Sequence, residues 1–255
     1  MSIRFSEKAH RYWLDGKPIP GVTTLIKGGV PAPALTYWAA KTVAEWVADH
    51  DAEVEQLRGM GRNAMVAALK ETPWAARDEA AVRGTDVHAL AEELVHGREV
   101  DVPEHLLGYV EGYARWLDLW QPTPVLVEKM VANRKHWYAG RFDLIADISG
   151  TRWMLDVKTA KGVYGDNALQ VDAYRNADFW QDDAGDEQPM PDGIERLGVI
   201  HVQPSGSQLV PLESDGSAFR DFLHAAWTGR REKQRKAYVG EPLTSPEPET
   251  EDTAA

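Results

Sequence analysis

The sequence predicts a mixed α/β fold of the α+β type, in which a helical N-terminal third precedes a strand-rich core. Up to Trp120 the apolar residues mostly recur at the three- and four-residue spacing of amphipathic helices. After Pro122 and Pro124 they alternate or run together, as they do in strands. The length of 255 residues and the 43% hydrophobic content suit one large domain, or one domain with an elaboration.

The helical third opens with a predicted hairpin at residues 9–20, because Asp15-Gly16 is a favoured two-residue turn between short strands. Apolar periodicity then predicts a helix at 34–50, a helical region at 51–70 and a short helix at 74–82. A further helix is expected to start at Arg83-Gly84-Thr85, with Thr85 as its N-cap, and to end at Gly97. One more amphipathic helix is expected at 103–120.

The core is predicted as helix, three strands, helix and two strands. Strands are expected at 125–131, 137–148 and 152–159, with Ser149-Gly150 joining the last two in an antiparallel meander. The elements expected next are a helix at 167–180, a polar loop at 181–192, strands at 197–203 and 208–212, and a terminal helix at 214–238. The meander matters most, because it carries the unusual charges described below.

Charge and composition limit the class of protein. A net charge of −12 argues against a surface that coats nucleic acid everywhere. The run 241–255 has five acids and no base, and its Pro, Glu and Thr content predicts a disordered tail. The terminal helix carries a basic segment, which is either a solvated helix end or a phosphate-contacting edge. Its members are Arg230, Arg231, Lys233, Arg235 and Lys236.

The chain has no cysteine, which excludes disulfides, a thiol nucleophile, cysteine-ligated zinc and a cysteine-held iron–sulfur cluster. No apolar run of about 18 residues is present, so we expect no membrane span. The first residues lack the apolar stretch of a signal peptide. The expected compartment is the cytoplasm.

Two carboxylates and a lysine stand out in the meander. Asp143 lies in one predicted strand, and Asp156 and Lys158 lie on one face of the next, because side chains alternate along a strand. Charges in an apolar strand are costly unless they are paired or hold a metal. With the neighbouring Glu128, these residues could hold Mg²⁺ or Mn²⁺ for phosphodiester hydrolysis. The alternative is a cross-strand ion pair without catalysis.

Four further residues are candidates for the same site. His88 lies near the predicted helix start, and a neutral imidazole is a common ligand for Mn²⁺-class ions, although a lone histidine is more often structural. Gln170 and Tyr174 lie four apart on one helical face, which could meet DNA or the lysine, or be an ordinary polar patch. Asp147 is a reserve candidate, since it lies four residues beyond Asp143.

In this order the motifs resemble those of the PD-(D/E)XK nucleases, and most closely the RecB-type branch with its phage exonucleases and CRISPR-associated relatives. The motifs are Gly84-Thr85-Asp86-Val87-His88, Glu128, Gly140-Arg141-Phe142-Asp143, Leu155-Asp156-Val157-Lys158-Thr159 and Gln170-Val171-Asp172-Ala173-Tyr174. The resemblance covers 84–174 and extends to about 238. Some relatives hold an iron–sulfur cluster with four cysteines, so this chain resembles the cluster-free members.

The resemblance implies a restriction-endonuclease-like core at 83–238, with a mixed central sheet flanked by helices. Residues 1–82 would be an N-terminal hairpin and helical elaboration, and 239–255 a disordered acidic tail. The implied metal ligands are His88, Asp143, Asp156 and the backbone carbonyl of Val157. The implied roles of the other residues are support of the metal or a second ion by Glu128, action on water or phosphate by Lys158, and DNA binding by Gln170, Tyr174, Arg141 and Lys161.

The implied function is a Mg²⁺- or Mn²⁺-dependent DNA nuclease, an exonuclease of phage or bacterial recombination and repair. Its partner would be DNA with linear or single-stranded ends, and a recombination partner protein and an oligomer are both compatible with this role. A phage-encoded member would act in the host cytoplasm. Two alternatives remain open. One is a DNA-binding module of the same fold that does not cut, and the other is a sequence-specific endonuclease.

Overall fold

A seven-stranded mixed sheet organises the computed structural model, which describes residues 2–213, 215–232 and 234–243. A smaller three-stranded antiparallel sheet precedes it, made of β1 (Ile3–Ser6), β2 (Arg11–Leu14) and β3 (Lys17–Ile19). The predicted hairpin is confirmed by the pairing of β2 with β3. Its turn residues, Asp15 and Gly16, have φ angles of 51° and 76°, which fits the left-handed turn that Asp-Gly favours.

Four α-helices lie between the small sheet and residue 95. They are α1 (Val22–Gly29), α2 (Pro33–Asp49), α3 (Asp51–Gly59) and α4 (Arg62–Val95). The helix predicted at 34–50 is confirmed as α2, whereas α1 was not predicted as a helix. The predicted region at 51–70 is divided between α3 and the start of α4, and Gly61 at the division has a φ of 92°.

The predicted break before residue 83 is wrong, because α4 runs without interruption for 34 residues and includes Pro73. Thr85 is therefore not an N-cap. Its hydroxyl instead donates to the carbonyl of Ala81, one turn earlier in the same helix. The boundary placed between residues 82 and 83 falls inside this helix. A 3₁₀ turn at Glu104–Leu106 and α5 (Leu107–Trp120) fill the predicted helix at 103–120.

The core follows the predicted order, with additions. Its elements are β4 (Thr123–Asn133), β5 (Tyr138–Ile148), β6 (Thr151–Lys158), α6 (Gly165–Arg175), β7 (Phe179–Gln181), β8 (Glu187–Pro189), β9 (Ile194–Gln203), β10 (Gly206–Leu212) and α7 (Ser217–Arg231). The strand order is β10-β9-β6-β5-β4-β7-β8. Strands β4, β5 and β6 form the predicted antiparallel meander, and β9 returns parallel to β6.

Several predicted boundaries are corrected by the structure. The helix predicted at 167–180 ends at Arg175, and the polar loop predicted after it contains the short strand β8. The terminal helix ends at Arg231, and a 3₁₀ turn follows at Gln234–Tyr238. Residues 244–255 of the expected acidic tail lie outside the described residues. No helix within the described ranges is both long and apolar enough to cross a membrane.

Helices cover both faces of the large sheet. One core cluster joins α1, α6 and α7 to residues such as Phe142 and Met154. A second cluster joins α4 and α5 to residues such as Leu144 and Leu155. Helices α1 and α7 lie very close, since a Cβ added at Gly29 would be 1.9 Å from the carbonyl oxygen of Ala225. The meander is thus held between two helical layers, with α4 on one side and α6 on the other.

Candidate metal centre

The strand register aligns three carboxylates across the meander. The β4–β5 pairs on both sides of Glu128 and Asp143 are in register, so these two residues lie opposite each other. The β5–β6 register ends at Leu144 and Leu155, and its next step would place Asp143 opposite Asp156. Glu128, Asp143 and Asp156 therefore form a row on three neighbouring strands. A row of like charges at the centre of a sheet requires compensating positive charge.

The backbone is irregular at this row. Glu128 has a φ of 50°, the left-handed region that residues other than glycine rarely adopt inside a strand. Residues three apart on a strand normally face opposite sides of the sheet. On β5, however, Phe142 and Ile145 belong to the same core cluster. The usual alternation is thus interrupted at Asp143. Such conformations cost on the order of 1–3 kcal/mol and are found preferentially at functional sites.

Helix α4 brings His88 to this irregularity. Its neighbours Val87 and Ala91 are buried in the cluster beneath the helix and fix its position on the sheet. His88 Nδ1 lies 3.5 Å from Asp143 Oδ2 and 3.9 Å from Glu128 Oε1. One ligand atom from each of the three residues lies within 4.8 Å of the others. A cavity of about 10 Å³ adjoins them, which is close to the volume of a single water-sized sphere.

The donor set fits a divalent cation. Two carboxylates and one imidazole are ligands for ions of the Mn²⁺ class, and carboxylates also suit Mg²⁺. The carboxylate charges of Glu128 and Asp143 together match the charge of such an ion. In addition, the neighbouring Asp156 is a third buried carboxylate, and its Oδ2 contacts the ammonium of Lys158. Such a concentration of buried negative charge is typical of a cation-binding site.

The pKa shifts show the same demand for positive charge. Burial lowers the pKa of His88, but the carboxylates of Asp143 and Glu128 outweigh burial and raise it well above the ordinary value. Burial raises the pKa of Asp143, but His88 and Lys158 outweigh burial and lower it. Burial and Asp143 raise the pKa of Glu128 against the opposing effect of His88. The three shifts share one cause, which is the close packing of buried carboxylates with few positive charges beside them.

Asp156 and Lys158 form a second group beside the first. Lys158 Nζ lies 2.5 Å from Asp156 Oδ2, and Asp156 is only 3% exposed. Helix α6 contributes Gln170, whose Nε2 donates to Asp156 Oδ1 at 2.8 Å and to the hydroxyl oxygen of Tyr174 at 3.2 Å. Burial lowers the pKa of Lys158, but the carboxylates of Asp156 and Asp143 outweigh burial and raise it. The lysine is therefore a charged donor at neutral pH.

The structure groups the predicted ligands differently from the sequence. His88 and Asp143 meet as expected, but the third member of the close group is Glu128, whereas Asp156 pairs with Lys158 and Gln170. Val157 was expected to contribute its carbonyl oxygen. In the structure, the N–H of Val157 donates to Asp143 Oδ2 at 2.5 Å. That hydrogen bond connects the two groups, because Val157 lies between Asp156 and Lys158.

The residues predicted to bind DNA fall into two kinds. Arg141 and Lys161 are exposed and free to meet a ligand. Tyr174 is 4% exposed, and its expected part in DNA binding stays a prediction. Its ring lies against Gly140, where an added Cβ would be 2.3 Å from Tyr174 Cε1. Tyr174 supports Gln170, which is half-buried beside Asp156.

Other candidates lie away from the centre. Asp147, the reserve carboxylate, accepts hydrogen bonds from Nε and Nη2 of Arg152 at 2.9 and 3.1 Å. In the basic segment, Arg230 donates to the carbonyl oxygens of His136 and Trp137, and Arg235 donates to that of Thr228. These contacts favour a structural role for those two arginines. Lys233 of the segment lies outside the described residues.

Two tyrosines near the centre were not predicted as site residues. Tyr113 of α5 lines the small cavity and is 2% exposed, and burial followed by Asp143 raises its pKa. Helical periodicity places it inward but says nothing of its neighbour across the sheet. Tyr12 of β2 lies within electrostatic reach of Glu128 and Arg141. Its position depends on how the small sheet docks, which no local signal specifies.

Comparison with known proteins does not identify a family for this chain. Neither the family models nor the curated proteins contain a match to this chain.

Proposed function

We propose that this protein is a divalent-metal-dependent DNA nuclease of the PD-(D/E)XK type. The observation that carries the proposal is the cluster of His88, Glu128 and Asp143 directly beside the Asp156–Lys158 pair. Structural ion pairs seldom need three carboxylates and a lysine in adjoining strands, with a histidine from a helix above them and a strained backbone. The mixed central sheet with helices on both faces is also what the resemblance to this family implies.

The residues divide the chemistry between them. His88, Glu128 and Asp143 would hold the cation, and Asp156, whose Oδ2 pairs with Lys158, would support the same ion or a second one. A bound divalent ion supplies charge that activates water and stabilises the developing negative charge on phosphate. Lys158 adds a positive charge at the edge of the cluster, where its ammonium can donate to a phosphate oxygen. Gln170 holds Asp156 in place through its amide.

DNA is the substrate that this arrangement favours, and an exonuclease acting at linear or single-stranded ends is the activity we propose. Arg141, two residues before Asp143, and Lys161, three residues after Lys158, are exposed cations that would contact the phosphate backbone. The overall negative charge of the chain is compatible with this role, because binding would be confined to the site where metal and cations offset the carboxylates.

A cleavage assay tests the proposal. Purified protein is incubated with linear and with covalently closed circular DNA in Mg²⁺, in Mn²⁺ or in EDTA. We expect metal-dependent loss of linear DNA and persistence of the circle. Asp143→Asn and Lys158→Ala should each abolish the loss, because they remove a ligand and the positive charge at the edge of the cluster. Asp147→Asn is the matched control on the same strand and should cut normally.

The outcomes separate the alternatives. Metal-dependent cutting of the circle would assign an endonuclease instead of an exonuclease. DNA binding without any cutting, with no metal uptake by calorimetry, would assign a non-cutting module. Full activity in Asp143→Asn or Lys158→Ala would reject the assignment of these residues.

A further inference from the structure

The small N-terminal sheet carries an aromatic cluster beside the metal centre. The ring centroids of Phe5 and Tyr12 are 4.5 Å apart, with 41° between the ring planes. The ring of His10 meets that of Phe5 edge-on at 5.5 Å. The guanidinium of Arg141, from β5, lies 6.0 Å from the centroid of Phe5. Three rings and one cation from two separate sheets thus form one surface.

Backbone contacts fix this cluster to the strand that carries Asp143. The N–H of Ala139 donates to the carbonyl oxygen of Pro20 at 3.0 Å, and Gly21 bridges to Ala139. Arg141 follows two residues later on β5, and Asp143 two residues after that. Gly21 also leaves room for Tyr12, since an added Cβ would lie 3.3 Å from its ring. The distance from the cluster to the metal centre is therefore set by a few residues of one strand.

The cluster is accessible, unlike the core beneath it. Phe5 and Tyr12 are half-buried, while His10 and Arg141 are exposed. Tyr12 packs partly against the core, but both rings keep a solvent-accessible part beside the exposed guanidinium of Arg141. The alternate residues of the same strands, Arg4 and Trp13, make a separate pair with the guanidinium 4.5 Å from the ring centroid.

We propose that Phe5, Tyr12 and Arg141 form a stacking platform for a base of single-stranded DNA next to the scissile phosphate. Aromatic faces and guanidinium planes bind bases of any sequence, but only bases that are free of a duplex. The surface would therefore select frayed or single-stranded ends and present the adjoining phosphate to the metal centre. The inference rests on the proposed nuclease function and adds to it the residues that would recognise a base at a single-stranded end.

The test compares binding of two short single-stranded probes of equal length by fluorescence anisotropy, in EDTA so that no cutting occurs. One probe is oligothymidylate, and the other is its abasic counterpart with the same phosphates and no bases. Loss of stacking on one base costs roughly 5- to 150-fold in affinity. We expect the wild type to prefer the probe with bases by such a factor. Phe5→Leu should lose most of the preference, and Phe5→Tyr should keep it.

Trp13→Leu is the matched control, because it removes an aromatic ring from the other face of the same small sheet. Thermal unfolding of each variant shows whether the sheet has remained folded. An unchanged preference in folded Phe5→Leu, or an equal loss in Trp13→Leu, would overturn the platform. Cleavage of linear DNA in Mn²⁺ is measured in parallel. If base-dependent binding persists without any cleavage, the proposed nuclease function fails and the platform stands.

Discussion

A single methyl group at Gly140 tests how tightly the support of Asp156 is packed. In Gly140→Ala the new Cβ would lie 2.3 Å from Cε1 of Tyr174 and 3.2 Å from two other ring atoms. The ring must retreat by about 1 Å to reach ordinary van der Waals contact. Tyr174 is 4% exposed, so the retreat displaces core neighbours. Overpacking of this kind costs about 1–3 kcal/mol of unfolding free energy.

The displacement also has a functional consequence. Tyr174 shares the amide of Gln170 with Asp156, so a shifted ring disturbs the hydrogen bond that holds this carboxylate. We therefore expect Gly140→Ala to reduce nuclease activity as well as stability. Urea denaturation followed by tryptophan fluorescence gives the stability, and cleavage of linear DNA gives the activity.

Gly165→Ala is the matched control, since a Cβ there would meet nothing within 4 Å and its φ is not positive. Because alanine favours helix, this variant should be as stable as the wild type or up to about 1 kcal/mol more stable. If Gly140→Ala unfolds within about 0.5 kcal/mol of the wild type, the packing of Tyr174 against β5 is not as described.

Three other predictions concern the surroundings of the centre. Gln170→Met leaves a buried oxygen of Asp156 without its donor and should cost about 1.5–3 kcal/mol in urea denaturation; a neutral result would mean that the amide is dispensable. Arg152 lowers the pKa of Asp147. The pair therefore stabilises the fold at any pH above the ordinary pKa of the carboxyl group. This stabilisation is lost as the pH falls through the lowered pKa of Asp147. Asp147→Asn should therefore be less stable than the wild type at neutral pH and equally stable in acid, and a pH-independent difference would contradict this. Lys161→Gln should weaken DNA binding for all sequences and reduce the slope of log K against log salt by about 0.7–0.9, whereas an unchanged slope would place this lysine away from the phosphates.

The sequence correctly predicted the turns and strands whose formation depends mainly on residues close together in the chain. The Asp15-Gly16 turn and the β5–β6 turn at Ser149-Gly150 were both predicted, because these residues adopt positive φ at little cost. The meander was predicted because its strands are long and apolar. Their order and antiparallel pairing then follow from short connections.

Local signals failed where packing decides the structure. Pro73 and the sequence Arg83-Gly84-Thr85 both predict helix boundaries, yet α4 continues through them. Proline inside a helix costs about 3 kcal/mol, so contacts with neighbouring elements must offset the loss. Pro73 is itself buried, and Val87 and Ala91 are buried against the sheet. The correct placement of His88 thus required the continuous helix, although its proximity to Asp143 was expected.

The sequence also did not predict which carboxylate joins His88 and Asp143 in the close group. Alternation places Asp156 and Lys158 on one face of β6, and the structure confirms their contact. No pattern in the sequence indicates that Glu128 adopts a φ of 50° or that the alternation of β5 is interrupted at Asp143. These two backbone features bring Glu128, in place of Asp156, into the close group with His88.

Anomalous diffraction from a crystal soaked in Mn²⁺ tests the central claim most directly. We predict one strong peak at about 2.0–2.6 Å from ligand atoms of His88, Glu128 and Asp143, and its loss in Asp143→Asn. A soaked crystal without a peak at this cluster, or with the same peak in Asp143→Asn, would contradict the metal centre and the nuclease function that depends on it.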